Sequence, residues 1–142
     1  MTEFFTSGVQ FVCWFWIGFV SAISFMEAWL KFRAEGVPLD MGLRIGKTVF
    51  SGLNRVEIVL TLLLVLLRAV CEGLMDMPSM AFGLIPIVFI VVCQSVYLLP
   101  QMNERADQKI RGEELQKSNL HMIYIGSEVV KVVCLFIVAL TV

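Results

Sequence analysis

A small set of polar and ionisable side chains interrupts otherwise apolar stretches of this chain, and their spacing carries the chemistry. His121, Tyr124, Glu128 and Lys131 fall at i, i+3, i+7 and i+10, one stripe of a helix. Asn54, Glu57 and Thr61 repeat the pattern on a second segment, and Gln94 with Tyr97 forms an i, i+3 pair on a third. On the first, Glu27 has Ser24 and Ser21 behind it at helical spacing. Three carboxylates, an imidazole that titrates near neutral pH and a lysine are groups that bind or pass a proton, a cation or a small polar ligand. Glu57, His121 and Glu128 also supply N and O donors suited to a transition metal. The paired Glu-x-x-His of a diiron carboxylate bundle is absent, and the single histidine cannot ligate a haem from both sides within one chain. No catalytic residue and no cofactor is assigned.

Sulfur adds little. Cys13, Cys71, Cys93 and Cys134 contain no C-x-x-C pair, and they read as buried small hydrophobes, with Cys71 nearest water. Met75, Met77 and Met80 cluster around Asp76; thioethers suit a soft metal, but at such a place they read first as interfacial hydrophobes.

The elements that must position these groups follow from composition. Hydrophobic residues make up 58% of 142 residues and charged ones 16%, with a mean hydropathy of +0.85. A soluble domain of this size cannot hide that much apolar surface. A net charge of −1 carries no polyanion-binding signature, so nucleic acid is excluded as a partner. A membrane helix needs about 20 apolar residues. Four stretches qualify, residues 9–30, 49–69, 80–99 and 120–142, so the expected fold is all-α, a single integral membrane four-helix bundle. Met1 to Gly8 lacks Lys and Arg and carries Glu3, so the first span reads as retained and not as a signal peptide.

Charge between the spans sets direction. Lys31, Arg33, Arg44 and Lys47 fall in the connection 31–48, and Arg105, Lys109, Arg111 and Lys117 in the connection 100–119. The connection between the middle spans offers Arg68, with Glu72 and Asp76 beside it. The positive-inside rule puts both basic connections in the cytoplasm and both termini outside. Asp40 is expected to cap the second helix, Pro86 to bend the third and Pro100 to end it. Gly18-x-x-x-Ala22 offers a close helix contact, and Trp14 with Trp16 fits an interfacial aromatic belt. The two halves, each a hairpin around a basic connection, suggest a loose internal repeat.

This threading brings Glu27, Asn54, Glu57, Gln94, His121 and Tyr124 to one level, with Glu128 and Lys131 deeper. Four polar faces at one depth are best buried by turning toward each other, which predicts a polar core near the cytoplasmic side. Pairing Glu128 with Lys131, and Glu27 or Glu57 with Arg55, leaves one carboxylate in excess.

Phe25-Met26-Glu27 leading to Lys31-Phe32-Arg33-Ala34, then Gly36-Val37, Gly42, Gly46, Val49-Phe50 and Asn54-Arg55-Val56-Glu57, with Leu98-Leu99-Pro100 and Leu120-His121 further on, make up a pattern. With it the chain resembles the uncharacterised small four-span bacterial membrane proteins of the DUF4149 type, related to the transmembrane protein 205-like group. That resemblance implies a four-helix membrane fold, a bacterial inner membrane and no established reaction. Asn54-x-x-Glu57 after a basic segment is also similar to the membrane-associated glutathione and eicosanoid enzymes, although those carry arginines where this chain has Thr48, Phe50 and Ser51. The expected function is a non-enzymatic, oligomeric membrane protein. Its core of Glu27, Asn54, Glu57, Gln94, His121, Tyr124, Glu128 and Lys131 binds or conducts a proton, cation or small polar ligand. The alternative is an accessory subunit of a membrane complex, its polar layer fixing helix register. The expected partners are the lipid bilayer and either further copies of the chain or another membrane protein.

Overall fold

Burial follows the helical repeat in every apolar stretch. Gly42, Gly46, Phe50, Leu53, Asn54, Glu57, Leu60, Thr61, Leu64 and Arg68 are the buried positions of one helix, recurring every three or four residues as a single inward stripe must. The computed structural model describes residues 2–31, 33–72 and 77–142, with the backbone alone for residues 2, 71, 72 and 77–82. Among these residues the chain forms helices and no strand. Helix α1 runs through Thr2–Val20, a π-helical stretch at Ser21–Glu27 and a last turn at Ala28–Leu30. Helix α2 is Leu39–Glu72. Helix α3 comprises Met77–Cys93, a π-helical stretch at Gln94–Leu98 and Leu99–Ile110. Helix α4 is Leu120–Thr141. All four are long and apolar enough to cross a membrane, over Glu3–Leu30, Leu39–Val70, Gly83–Ile110 and Leu120–Thr141.

Each helix packs on the two beside it, α1 on α2 and α4, α3 on α2 and α4, which closes a four-membered ring. Neighbours run antiparallel. Gln10 Nε2 donates to the carbonyl of Ala139 at 3.2 Å, joining the start of α1 to the end of α4. Lys47 pairs with Asp107, joining the start of α2 to the end of α3. Both basic connections therefore lie at one end of the bundle, and the outer ends of α1 and α4 at the other. Outward faces are apolar, with Phe11, Val59, Leu62, Leu66, Phe89 and Leu140 all exposed. A coat of that extent does not belong on a water-facing monomer.

Several boundaries depart from expectation. Pro100 does not end α3; the helix runs on to Ile110. A proline ring clashes with the carbonyl four residues back. The π-helical stretch at Gln94–Leu98 widens the helix at that point and accommodates the ring. Gly112 stops the helix instead. At φ 82° it adopts the left-handed conformation, its N–H reaches the Lys109 carbonyl, and the Glu113 N–H reaches that of Gln108, both at 3.1 Å. Those two bonds are a Schellman cap. Asp40 is not the cap of α2, because the helix already begins at Leu39 and the Gly42 N–H bonds the Pro38 carbonyl at 3.0 Å. It lies in the first turn, where a carboxylate still favours the helix dipole. Gly18 and Ala22 face outward, and among the described residues nothing lies within 4 Å of where a Cβ at Gly18 would stand. Pro86 lies inside α3. The Met75–Asp76 cluster and the side chains of Cys71, Met77 and Met80 lie outside the described residues.

Close approach happens at Gly83, where a Cβ would stand 2.3 Å from Val138 Cγ2. Val138 is buried and β-branched, so it cannot step aside. Gly83→Ala should destabilise the bundle by about 1–3 kcal/mol through overpacking. Gly18→Ala, with nothing near its Cβ, should leave stability equal or slightly higher. Thermal unfolding of both variants in mild detergent checks the contrast.

Candidate functional site

The inward stripes of the four helices converge on one ammonium group. Lys131 of α4 is completely buried, as are Glu57 of α2, Gln94 of α3 and Glu128 of α4. Its Nζ pairs with Glu57 Oε1, stands 3.0 Å from Glu128 Oε2, and donates to Gln94 Oε1 at 2.7 Å. The Gln94 amide turns its Nε2 the other way, donating to Glu128 Oε1 at 3.1 Å and to Ser127 Oγ at 2.7 Å. Trp16 of α1, also fully buried, donates its indole N–H to Glu57 Oε1 at 3.0 Å. Every helix thus contributes a donor or acceptor to one network.

Local structure delivers these groups. Gln94 opens the π-helical stretch of α3, a type of distortion frequent at functional sites. Trp16, Val20 and Ser24 are buried at intervals of four along α1, a wider step than 3.6 that matches the π-helical winding of Ser21–Glu27. Asn54, one turn before Glu57, has its Oδ1 2.9 Å from Ser95 Oγ, whose single proton is shared between Asn54 and the Val91 carbonyl. Thr61, one turn after, donates to the Glu57 carbonyl at 2.7 Å.

Charge in this centre does not balance. Two carboxylates share one ammonium, all three without solvent contact. A lone buried charge costs several kcal/mol even after relaxation. Among the described residues four buried oxygens lack a hydrogen-bond partner, namely Ser24 Oγ, Glu57 Oε2, Tyr124 Oη and Glu128 Oε2, the last of them facing the Lys131 ammonium. Tyr124 is buried one turn before Glu128 on the same inward stripe of α4. The arrangement can hold one further positive charge, a proton or a small cation.

The remaining candidates lie elsewhere. Glu27 pairs with Lys31 at 3.3 Å near the basic end, and His121 lines a cavity there together with Lys31. His121, Glu57 and Glu128 do not form a metal site, since among the described residues no three of His, Cys, Asp and Glu come together closely enough to hold an ion. The polar layer therefore divides in two. An ion centre sits deep in the bundle, and a cavity of about 430 Å³ opens at the basic end. Phe50 lines the cavity and packs edge-on against Tyr124, ring centroids 5.4 Å apart, so two aromatic rings stand between the levels.

Three residues of the site escape the sequence reading. Trp16 is not an interfacial tryptophan; its spacing from Val9, Val12, Cys13 and Val20, all buried, was the available signal. Trp14 does face outward, packed edge-on against Phe136 at 5.1 Å. Ser127, beside Glu128, joins the network through Gln94, and Ser95, beside Gln94, binds Asn54. Arg55 is exposed and pairs with neither glutamate, and Tyr97 is exposed while Gln94 is buried. No family model matches the chain, and no curated protein or solved structure is significantly similar to it.

Removing one member of a buried ion network strands the others. Lys131→Met should destabilise the protein by about 3–5 kcal/mol, because two carboxylates then lack a counter-charge. Lys131→Met combined with Glu57→Gln and Glu128→Gln should recover most of that loss. Thermal unfolding in detergent of the single and triple variants measures both.

Proposed function

We propose that the chain is a small integral membrane protein whose ion centre takes up and releases one proton. The single observation behind this is the pairing of two fully buried carboxylates, Glu57 and Glu128, with one ammonium, Lys131. At the low dielectric of a bundle interior the excess negative charge calls for a cation, and a proton is the one that needs no room. The unpartnered Glu57 Oε2 and Tyr124 Oη are the oxygens available to carry it or hand it on. In this reading the basic end faces the cytoplasm and both termini face outward, as the positive-inside rule asks. The apolar outward faces meet lipid or further copies of the chain. A bacterial inner membrane and kinship with the DUF4149 type belong to the same proposal. Protons would reach the centre from the basic end past Phe50 and Tyr124.

A second reading is supported by the seal around the same centre. None of Glu57, Gln94, Glu128 or Lys131 lines the cavity. A network so enclosed is also what an accessory subunit would use to hold its helices in register while its outer faces bind a partner.

Infrared spectroscopy and flux separate the two. The proton reading expects a protonated-carboxyl C=O band in the native protein, lost in Glu57→Gln or in Glu128→Gln. It also expects proton flux into proteoliposomes that falls to the protein-free background in the same variant. A native protein with neither band nor flux, co-purifying with a stoichiometric membrane partner, would favour the subunit.

A further inference from the structure

The cavity at the basic end has a composition of its own. Lys31, Lys47, Arg105, Lys109 and His121 stand in its wall, and no aspartate or glutamate does. Nearby carboxylates offset part of this charge. Glu27 pairs with Lys31 and Asp107 with Lys47, whereas Glu104 and Glu113 are both drawn to Arg111 at 3.6 and 2.8 Å. Arg105 and Lys109 remain without a carboxylate partner among the described residues. Arg105 instead donates to the backbone carbonyl of Gln116, which ties the segment after α3 across the cavity as a wall. The rest of the wall is largely apolar, with Phe50 and Leu99 deepest and Leu43, Leu115 and Leu120 nearer the mouth, interrupted by Asn103, Gln116 and Ser118.

The cationic side is built and not incidental. The Lys31 side chain is 8% exposed, its ammonium 5.0 Å above the Phe50 ring. Gly46 makes the room, because a Cβ there would stand 2.7 Å from Lys31 Nζ. A buried cation over an aromatic floor, with two uncompensated cations at the rim, creates a positive field in a space of about 430 Å³. That volume falls within the usual 300–1,000 Å³ of small-molecule sites.

We propose that this cavity binds an amphipathic anion, a carboxylate or phosphate headgroup bearing an apolar chain. The headgroup lies against Arg105 and Lys109 and the chain runs along Leu43 toward the Phe50 and Leu99 base. This inference does not depend on proton exchange at the ion centre, and the measurement below reads binding alone.

Calorimetric titration of the full chain in neutral detergent tests it, with decanoate as probe, decanol as the uncharged counterpart and inorganic phosphate as a headgroup without a chain. Decanoate should bind saturably, and the other two at least about tenfold more weakly, as the loss of one charge-assisted contact implies. Arg105→Gln combined with Lys109→Gln should weaken decanoate by about tenfold or more while leaving decanol unchanged. Leu43→Trp, which fills the cavity from its wall and keeps every charge, should also abolish binding. No saturable decanoate binding, decanol binding as tightly as decanoate, or an unaltered affinity in the folded double variant would each overturn the proposal. Nanodiscs distinguish the natural source. Suppression of decanoate binding by phosphatidylglycerol, against a phosphatidylcholine control, assigns the cavity to a membrane lipid. Undiminished binding assigns it to a soluble amphipathic acid.

Discussion

A lysine ammonium stripped of all water governs this bundle. Lys131 has no solvent contact, and its charge is tolerable only while Glu57, Glu128 and Gln94 stay where they are. Those groups come from α2, α3 and α4, and Trp16 of α1 completes the ring through Glu57. Between apolar helices in an apolar solvent, burial offers little preference for one register over another. Here a slide of one turn along any helix would separate an ion from its counter-ion. The network therefore selects a register that the leucine and valine faces alone leave open, and Gly83 against Val138 adds a steric stop between α3 and α4.

The two π-helical stretches belong to the same solution. An α-helix that carries buried residues at every fourth position drifts off its own stripe, because its repeat is 3.6. Widening at Ser21–Glu27 keeps Ser24 inward after Trp16 and Val20. Widening at Gln94–Leu98 turns Gln94 inward and spares Pro100 a clash, so that α3 continues to Ile110. The continuation matters because Arg105 and Lys109, together with Asp107 that holds Lys47, all stand on it. One local distortion thus serves both the ion centre and the cavity wall.

How far the sequence was legible depends on the kind of relation. Helix existence was plain from apolar length, and the inward stripe of Tyr124, Glu128 and Lys131 was plain from period. Partner choice was less so, yet part of it lay within reach of geometry. Arg55 is two residues from Glu57, roughly 200° around the helix, so the two cannot face each other. Glu27 and Lys31, four apart, can, and do at 3.3 Å. Trp16 was hidden because tryptophan suits an interface as well as a core, and only its register with Val9, Val12 and Val20 decides. The end of α3 was hidden because a proline read alone predicts a stop, whereas a π-helical stretch before it removes the reason to stop.

Helix length explains why the polar layer splits into two levels. Helix α2 has 34 residues, about 51 Å at 1.5 Å per residue, against a hydrocarbon thickness of about 30 Å. The overshoot at the basic end is matched by the extension of α3 past Pro100, and the cavity occupies the space between these projecting ends. Phe50, its deepest contact on α2, is seven residues before Glu57, about 10 Å of helix. Under the membrane reading the cations of the cavity stand where water and headgroups still screen them, and Lys131 where nothing does. The same charge therefore does different things at the two levels. At the rim it is free to attract an anion at modest desolvation cost, whereas in the interior it is consumed in holding Glu57 and Glu128. The Phe50–Tyr124 ring pair stands between the two levels, so under the proposed function a ligand with an apolar chain would be kept from the ion centre while a proton, needing only the Tyr124 hydroxyl, would not be held to the same limit.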